Sequence, residues 1–396
     1  MKIVAVLDIA LGAGGGYEQA LNAIIQMKNI CKDEFEFEVV TTYSQNISVL
    51  QDCGIEACTF KYGFFDKVIA KFNNHWIWGL IQARLKVTGP LENFLIYRGC
   101  DLVYFVTPGS MSASLQRLNF ISTLWDLTHR TSLEFPEVRE FGVFQNRENH
   151  FKNNLASAYL VLTDSEKLAD LASFFYGIER RRFLAMPFSP SLSIANQDGL
   201  TKQQVLDEYA LNEGYFFYPA QFWPHKNHIR ILEAMVLLKS KSIFPQVVFS
   251  GKDYGGKERL VKYIHENDLT NQVHFLGFVP PKSMRGLYEG SAAVVMPTYF
   301  GPTNLPPLEA WSIGKPLIYS NHLGEGIECG AILVDPGKAS TLADAMKAVL
   351  TESSKCNHII QSGHRILGDI NIAREKAEVL MLLRLRAYSE MLRCWK

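Results

Sequence analysis

Short runs of β-branched and aromatic residues alternate with longer helix-patterned stretches along almost the whole chain, and near its middle the alternation stops and starts again. A strand, a helix and a second strand running the same way form a parallel sheet covered on both faces, so the pattern predicts an α/β protein with two such sheets. In the first half the expected strands are Ile3–Leu7, Phe37–Thr41, Leu102–Phe105, Ile121–Trp125 and Tyr159–Leu162. The second half restarts at Tyr215–Tyr218 and continues with Gln246–Ser250, Val273–Leu276, Ala292–Met296, Pro316–Tyr319 and Ala331–Val334. Between them, Met186–Gly199 is rich in Pro, Ser and Asn, lacks periodicity and reads as a linker. The expected organisation is a domain over 1–195, a second over 196–371, both doubly wound and facing a central cleft, and a helix over 372–396 crossing back onto the first. A length of 396 residues suits two domains and excludes a single small module.

Forty Lys plus Arg balance forty Asp plus Glu, so no global field draws the chain onto nucleic acid and any anion site has to be built locally. Seven scattered cysteines form no C-x-x-C pair and lie near no His at zinc-ligand spacing, which fits free thiols in a reducing cytoplasm. The start is apolar for only five residues before Asp8, too short for a signal-peptide core, and no run approaches a membrane span. The expectation is a cytoplasmic protein.

Four segments can carry chemistry. The first strand runs into Gly12-Ala13-Gly14-Gly15-Gly16 and a helix start, where glycines admit a ligand to the backbone and the helix end favours an anion; a tight turn with no ligand is the alternative. The glycine spacing misses the dinucleotide fingerprint, and no acidic residue follows where the ribose of a dinucleotide would need it. In the second half, Trp223-Pro224-His225-Lys226-Asn227 precedes a helix, and a Lys there adds its charge to the helix dipole for a diphosphate. Further on, Pro297–Trp311 contains Thr303 or Asn304 as a helix cap and two prolines in the first turn. Glu309 follows one turn in, among Leu305, Leu308, Ala310 and Trp311; buried, that carboxylate needs a partner, for which two ribose hydroxyls are suitable, and exposed it needs none. In the first half Trp125-Asp126-Leu127-Thr128-His129-Arg130 follows a strand directly, with Phe135-Pro136-Glu137 just beyond. Asp126 and His129 are the polar candidates there, although a lone His is often structural. No order of Ser, His and Asp, and no zinc-binding helix motif, is visible.

Together the glycine loop, the Asp126 loop, the Leu162-Thr163-Asp164-Ser165 strand end, the Lys226 loop, Val273–Tyr288, the Leu305–Pro316 helix and Ala331–Pro336 resemble the retaining GT-B glycosyltransferases, specifically glycosyltransferase family 4. The members most similar elongate bacterial surface polysaccharides such as lipopolysaccharide O-antigen, particularly mannosyl- and rhamnosyltransferases. The resemblance implies that Lys226 binds the donor diphosphate and that Glu309 binds the nucleotide ribose. It further implies that the amides at Asn304 and Leu305 meet phosphates or donor sugar, that Gly15 and Gly16 approach the diphosphate or the acceptor, and that the backbone at Phe278 and Val279 meets the base. The sequence departs from the family in having Gln221 where an Arg is common, Gly301 where a second Glu is common, and Trp125 where a His often precedes the Asp.

The activity so implied is transfer of a hexose, mannose or rhamnose-type, from a nucleotide diphosphate sugar such as GDP-mannose to a hydroxyl of a glycan or lipid-linked glycan, with an α-linked product. Lys226 and the helix end take the place of a divalent cation, so no metal or other cofactor is expected. A nucleotide-sugar epimerase and a non-catalytic partner in a polysaccharide assembly complex share the pattern and remain alternatives. Lys61–Thr88 carries a net +4 interleaved with Tyr62, Phe64, Phe65, Phe72, Trp76 and Trp78, a mixture suited to the surface of an anionic membrane. Solvated lysines over a core of aromatics are the alternative, and contact would place the protein at the inner face of the cytoplasmic membrane.

Overall fold

The structure, a computed structural model, describes residues 1–73, 84–195, 199–301 and 304–395. Trp76, Trp78 and Thr303 lie outside the described residues. The chain divides into two compact units, each with its own parallel sheet.

The first unit comprises Met1–His129, Phe141–Phe188 and Ile372–Lys396. Its strands are β1 (Lys2–Leu7), β2 (Glu36–Thr41), β3 (Ala57–Thr59), β4 (Leu102–Phe105), β5 (Asn119–Leu124), β6 (Leu160–Thr163) and β7 (Phe183–Ala185). They lie in the order β3-β2-β1-β4-β5-β6-β7, all parallel. β1 is an interior strand, and Ile3, Val4, Ala5 and Leu7 are wholly buried, because helices on both faces remove each side chain from water. The last helix, Ser353–Leu392, changes unit along its length. Its final turns bury Met381 and Leu385, Tyr388 Oη donates to the carbonyl of Asp101 (3.2 Å), and Arg386 makes a two-pronged pair with Glu34.

The second unit comprises Ser189–Asn371 and takes in Arg130–Glu140 from the first half. Its strands are β8 (Tyr215–Pro219), β9 (Val247–Ser250), β10 (Val273–Gly277), β11 (Ser291–Met296), β12 (Leu317–Ser320) and β13 (Ile332–Val334), in the order β10-β9-β8-β11-β12-β13, again all parallel. Tyr215, Phe216, Phe217 and Tyr218 of β8 are completely buried. The change of unit falls between Phe188 and Ser189, ahead of the boundary expected at 195, and residues 130–140 had no sequence signal for joining the second unit. The reason is packing: Phe135 sits against Tyr299 (ring centroids 5.4 Å apart) and Phe300 (5.3 Å).

Candidate active site

In the second sheet the winding direction reverses between β8 and β11, which pair directly, with Phe217 opposite Val294. In an open parallel sheet the loops leaving two such strands diverge and leave a crevice that accepts ligands. The loop after β8 carries Lys226 and the loop after β11 carries Asn304, and Lys226 Nζ donates to Asn304 Oδ1 at 3.1 Å. Two candidates separated widely in sequence are thus brought together at the switch point.

Local structure fixes both. Lys226 closes the 3-10 turn Pro224–Lys226, and its carbonyl accepts from Tyr218 Oη of β8 (2.9 Å). The next residue, Asn227, is buried in the left-handed region (φ 58°), a conformation Asn tolerates better than most L-residues. Its amide donates to the carbonyls of Pro297 (3.0 Å) and Pro336 (2.8 Å), so one side chain ties the loops after β8, β11 and β13. His228 opens the following helix between the rings of Tyr218 and Phe222, and burial pushes its pKa down to about 3, so it is neutral at physiological pH.

Asn304 occupies the cap position of the helix Leu305–Ile313, with Pro306 and Pro307 in the first turn, but its side chain makes no capping bond. It turns to Lys226, to the carbonyl of Gly301 and to Tyr319 Oη (2.9 Å) instead. This corrects the expected use of Asn304 as a cap: its oxygen is spent on orienting a cation. Gly301 is also explained, since it has φ 117° and a Cβ there would stand 2.6 Å from Asn304 Oδ1. No side chain fits at Gly301 while Asn304 holds this position.

Glu309 is 5% exposed, so of the two sequence readings the buried one applies. Its partners are hydroxyls of the chain itself: Ser191 Oγ donates to Oε1 at 2.6 Å and Tyr288 Oη donates to Oε2. Burial raises its pKa, and these hydroxyl bonds only partly offset the rise. Both carboxylate oxygens thus already have partners within the chain. Gln221 accepts from Trp223 Nε1 (3.0 Å), and Trp223 stacks on Tyr254 (4.2 Å). Phe278 is half exposed at the end of β10 with Lys252 Nζ 5.7 Å from its ring centroid, while Val279 is buried.

In the first unit the switch lies between β1 and β4. Gly12 and Gly14 have φ near +80°, Gly15 opens the helix Gly15–Cys31 and is exposed, and a Cβ on Gly16 would lie 3.5 Å from the Trp125 ring. The glycine loop and the Asp126 loop are therefore neighbours. Asp126 accepts from Arg147 (2.5 Å), from Thr128 Oγ1 (2.5 Å) and from the Thr128 amide (2.9 Å). Burial pushes its carboxyl up, but the Arg147 charge and the Thr128 bonds outweigh that and hold it below the ordinary range. His129 is completely buried between Phe144 and Phe151, with Nε2 3.2 Å from Glu148. Burial lowers its pKa. With no exposed surface, its ring packs beneath the loop as a support.

Several residues here carried no sequence signal: Ser191, Tyr288 and Arg147 act through contacts distant in sequence, Tyr218 through a hydroxyl eight residues from Lys226, and only the turn-prone Asn227 offered a local hint. Among the described residues no three or more His, Cys, Asp or Glu side chains are placed to hold a metal ion, and no helix is long and apolar enough to cross a membrane.

The chain has the GT-B fold, and its residues 205–365 match the family described as glycosyl transferases group 1. It is related to O-antigen mannosyltransferases. It is 25% identical over 243 residues to O-antigen chain mannosyltransferase B of Escherichia coli, a match covering 57% of this chain and 62% of that protein. To O-antigen chain mannosyltransferase RfbU of Salmonella typhimurium it is 26% identical, over 48% of this chain and 50% of that protein. The chain thus spans half to about three-fifths of the length of the curated relatives it matches. In structure it resembles Anabaena Alr3699/HepE in complex with UDP-glucose, with TM-score 0.72 at 16% identity, covering 96% of this chain and 99% of that one.

Proposed function

We propose that the protein is a retaining hexosyltransferase that moves mannose or a rhamnose-type sugar from a nucleoside diphosphate to a hydroxyl of a growing bacterial surface glycan such as O-antigen. The observation that carries this is the meeting of Lys226 with Asn304 at the β8/β11 switch point, inside the part of the chain that matches group 1 glycosyltransferases. The mannosyltransferase relatives favour the sugar and the acceptor class, and the UDP-glucose of the Anabaena neighbour belongs to the same donor chemistry.

The bond that breaks joins the anomeric carbon to the diphosphate oxygen, which keeps the electron pair and gains charge. Lys226 and the start of the Leu305–Ile313 helix meet that charge, and stabilisation of growing charge by preorganised groups is commonly the largest catalytic term. The acceptor oxygen then attacks the face the diphosphate leaves, its proton passing to a departing phosphate oxygen, so configuration is kept without a covalent enzyme intermediate. Incubation of wild-type protein with GDP-mannose and a lipid-linked glycan is expected to yield an α-linked product, read by mass and by anomeric NMR coupling. Transfer is expected to persist in excess EDTA, because Lys226 does the work of a cation. Activity lost in EDTA and restored by magnesium or manganese overturns metal independence, and free sugar released without acceptor favours an epimerase.

The membrane part of the reading rests on the helix Phe64–Asn73. Phe64 and Phe65 are 75% and 72% exposed, and Lys61, Lys67 and Lys71 are exposed beside them. The sole acid, Asp66, is buried, accepting from the amides of Leu91 (2.8 Å) and Gly63 (3.1 Å). Tyr62 instead packs on the core. Each cation near an anionic surface contributes about 1 kcal/mol, so wild type is expected to float with phosphatidylserine vesicles at low salt and to be released at high salt. Phe64→Ser/Phe65→Ser is expected to weaken flotation. Absence of binding at low salt, or binding indifferent to salt, contradicts this.

A further inference from the structure

Residues 130–140 leave the first half of the chain and pack in the second unit, and the anchor of that crossing is a hydrogen-bonded Glu137–His225 pair the activity has not yet used. Glu137 Oε1 accepts from both the backbone N–H (3.0 Å) and the ring Nδ1 (2.6 Å) of His225, the residue immediately before Lys226. The two side chains are 9% and 10% exposed. Burial pushes the Glu137 carboxyl up, but its bonds to His225 outweigh that and lower it, so the acid is charged at neutral pH.

His225 is held on its other sides by the loop after β11. Its ring lies flat on Phe300 (3.8 Å, 12°), and its carbonyl accepts from the Tyr299 amide (2.8 Å) and from Thr298 Oγ1 (3.2 Å). Phe135, two residues before Glu137, closes the same cluster edge-on against Phe300. Thus His225 is clamped between the segment that bears Glu137 and the loop that bears Asn304, and Lys226 follows it by one peptide bond. A lysine has a long flexible stem, so where its ammonium stands depends on how firmly its backbone is held.

We propose that Glu137 is a positioning residue for Lys226: by fastening His225 to the 130–140 segment while His225 packs on the loop after β11, it sets the place from which the ammonium meets a nucleoside diphosphate. The inference rests on the donor-site reading above, and goes beyond it by giving the 130–140 segment a role at that site.

Groups that act through one another show non-additive losses, whereas a general structural contribution adds. Wild type, Glu137→Ala, Glu137→Gln, Lys226→Ala and the double variant Glu137→Ala/Lys226→Ala are titrated calorimetrically with GDP, UDP and TDP in turn, and their melting is followed in parallel. For whichever nucleotide wild type binds, Glu137→Ala is expected to weaken binding about tenfold, the scale of losing a buried charge-assisted bond. Glu137→Gln keeps an oxygen for the two N–H groups and is expected to recover most of the loss. In the Lys226→Ala background, removing Glu137 is expected to change affinity by less than about twofold. Should Glu137→Ala be unfolded, His225→Phe replaces it in the cycle; it keeps a ring on Phe300, drops the Nδ1 link, and carries the same expectation. Full-sized loss persisting without Lys226, or wild-type affinity in Glu137→Ala, overturns the positioning role alone. Failure of wild type to bind any of the three nucleotides overturns the donor-site reading and the inference with it.

Discussion

Replacing Lys226 by Ala is expected to lower kcat by about 100-fold or more, a barrier increase of at least ~2.7 kcal/mol, with a smaller effect on donor KM. On the proposed donor-site reading Lys226 faces charge that grows as the diphosphate departs, so its contribution would be larger in the transition state than in the ground state and belong in kcat. The substitution leaves Asn304 with its bonds to Gly301 and Tyr319, and the Lys226 carbonyl with Tyr218, so the loops keep most of their supports. Melting temperature is therefore expected to stay near wild type. Near-full kcat at saturating donor would refute the leaving-group role and reopen the epimerase and non-catalytic readings.

Glu309→Gln is expected to raise donor KM about tenfold, ~1.4 kcal/mol, with kcat changed much less. Ribose hydroxyls barely change during the reaction, so a group that binds them acts on ground and transition states alike. The structure adds a complication the sequence did not show, because Ser191 and Tyr288 already donate to this carboxylate. An amide there turns one acceptor into a donor facing a buried hydroxyl, so some loss of stability accompanies the KM effect, on the order of 1–3 kcal/mol. Ser191→Ala separates the two: it removes one structural bond and leaves the carboxylate, so it is expected to lower the melting temperature while donor KM stays near wild type. A KM rise of equal size in Ser191→Ala would show that Glu309 acts only by holding its own helix in place.

Most of the fold is legible in the sequence because strands buried on both faces read as continuous apolar runs, of which Tyr215–Tyr218 is the clearest. The strands that escape, β3 and β7, have three residues each; β13 is as short but falls within an expected run, so shortness alone does not decide. The site divides along the same line. Lys226, Asn304 and Glu309 stand out because each sits at a loop or helix start whose local chemistry is unusual. What fastens them does not: Glu137 and His225 are 88 positions apart, and Ser191 and Glu309 are 118 apart, so neither pairing leaves a local pattern. His129 shows the converse, a residue conspicuous in the sequence whose ring turns out to be buried between two phenylalanines.

The central claim is that the crevice between the loops after β8 and β11 seats a nucleoside diphosphate sugar through Lys226. A thermal-shift panel of GDP, UDP, TDP and their sugars, run on wild type and on Lys226→Ala, addresses it without knowledge of the acceptor. A ligand at 100 times its dissociation constant adds about 2.7 kcal/mol of stability. The account predicts that at least one nucleotide and its sugar raise the melting temperature of wild type, and that Lys226→Ala loses most of that shift while melting normally without ligand. No shift with any member of the panel, or an equal shift in Lys226→Ala, contradicts it.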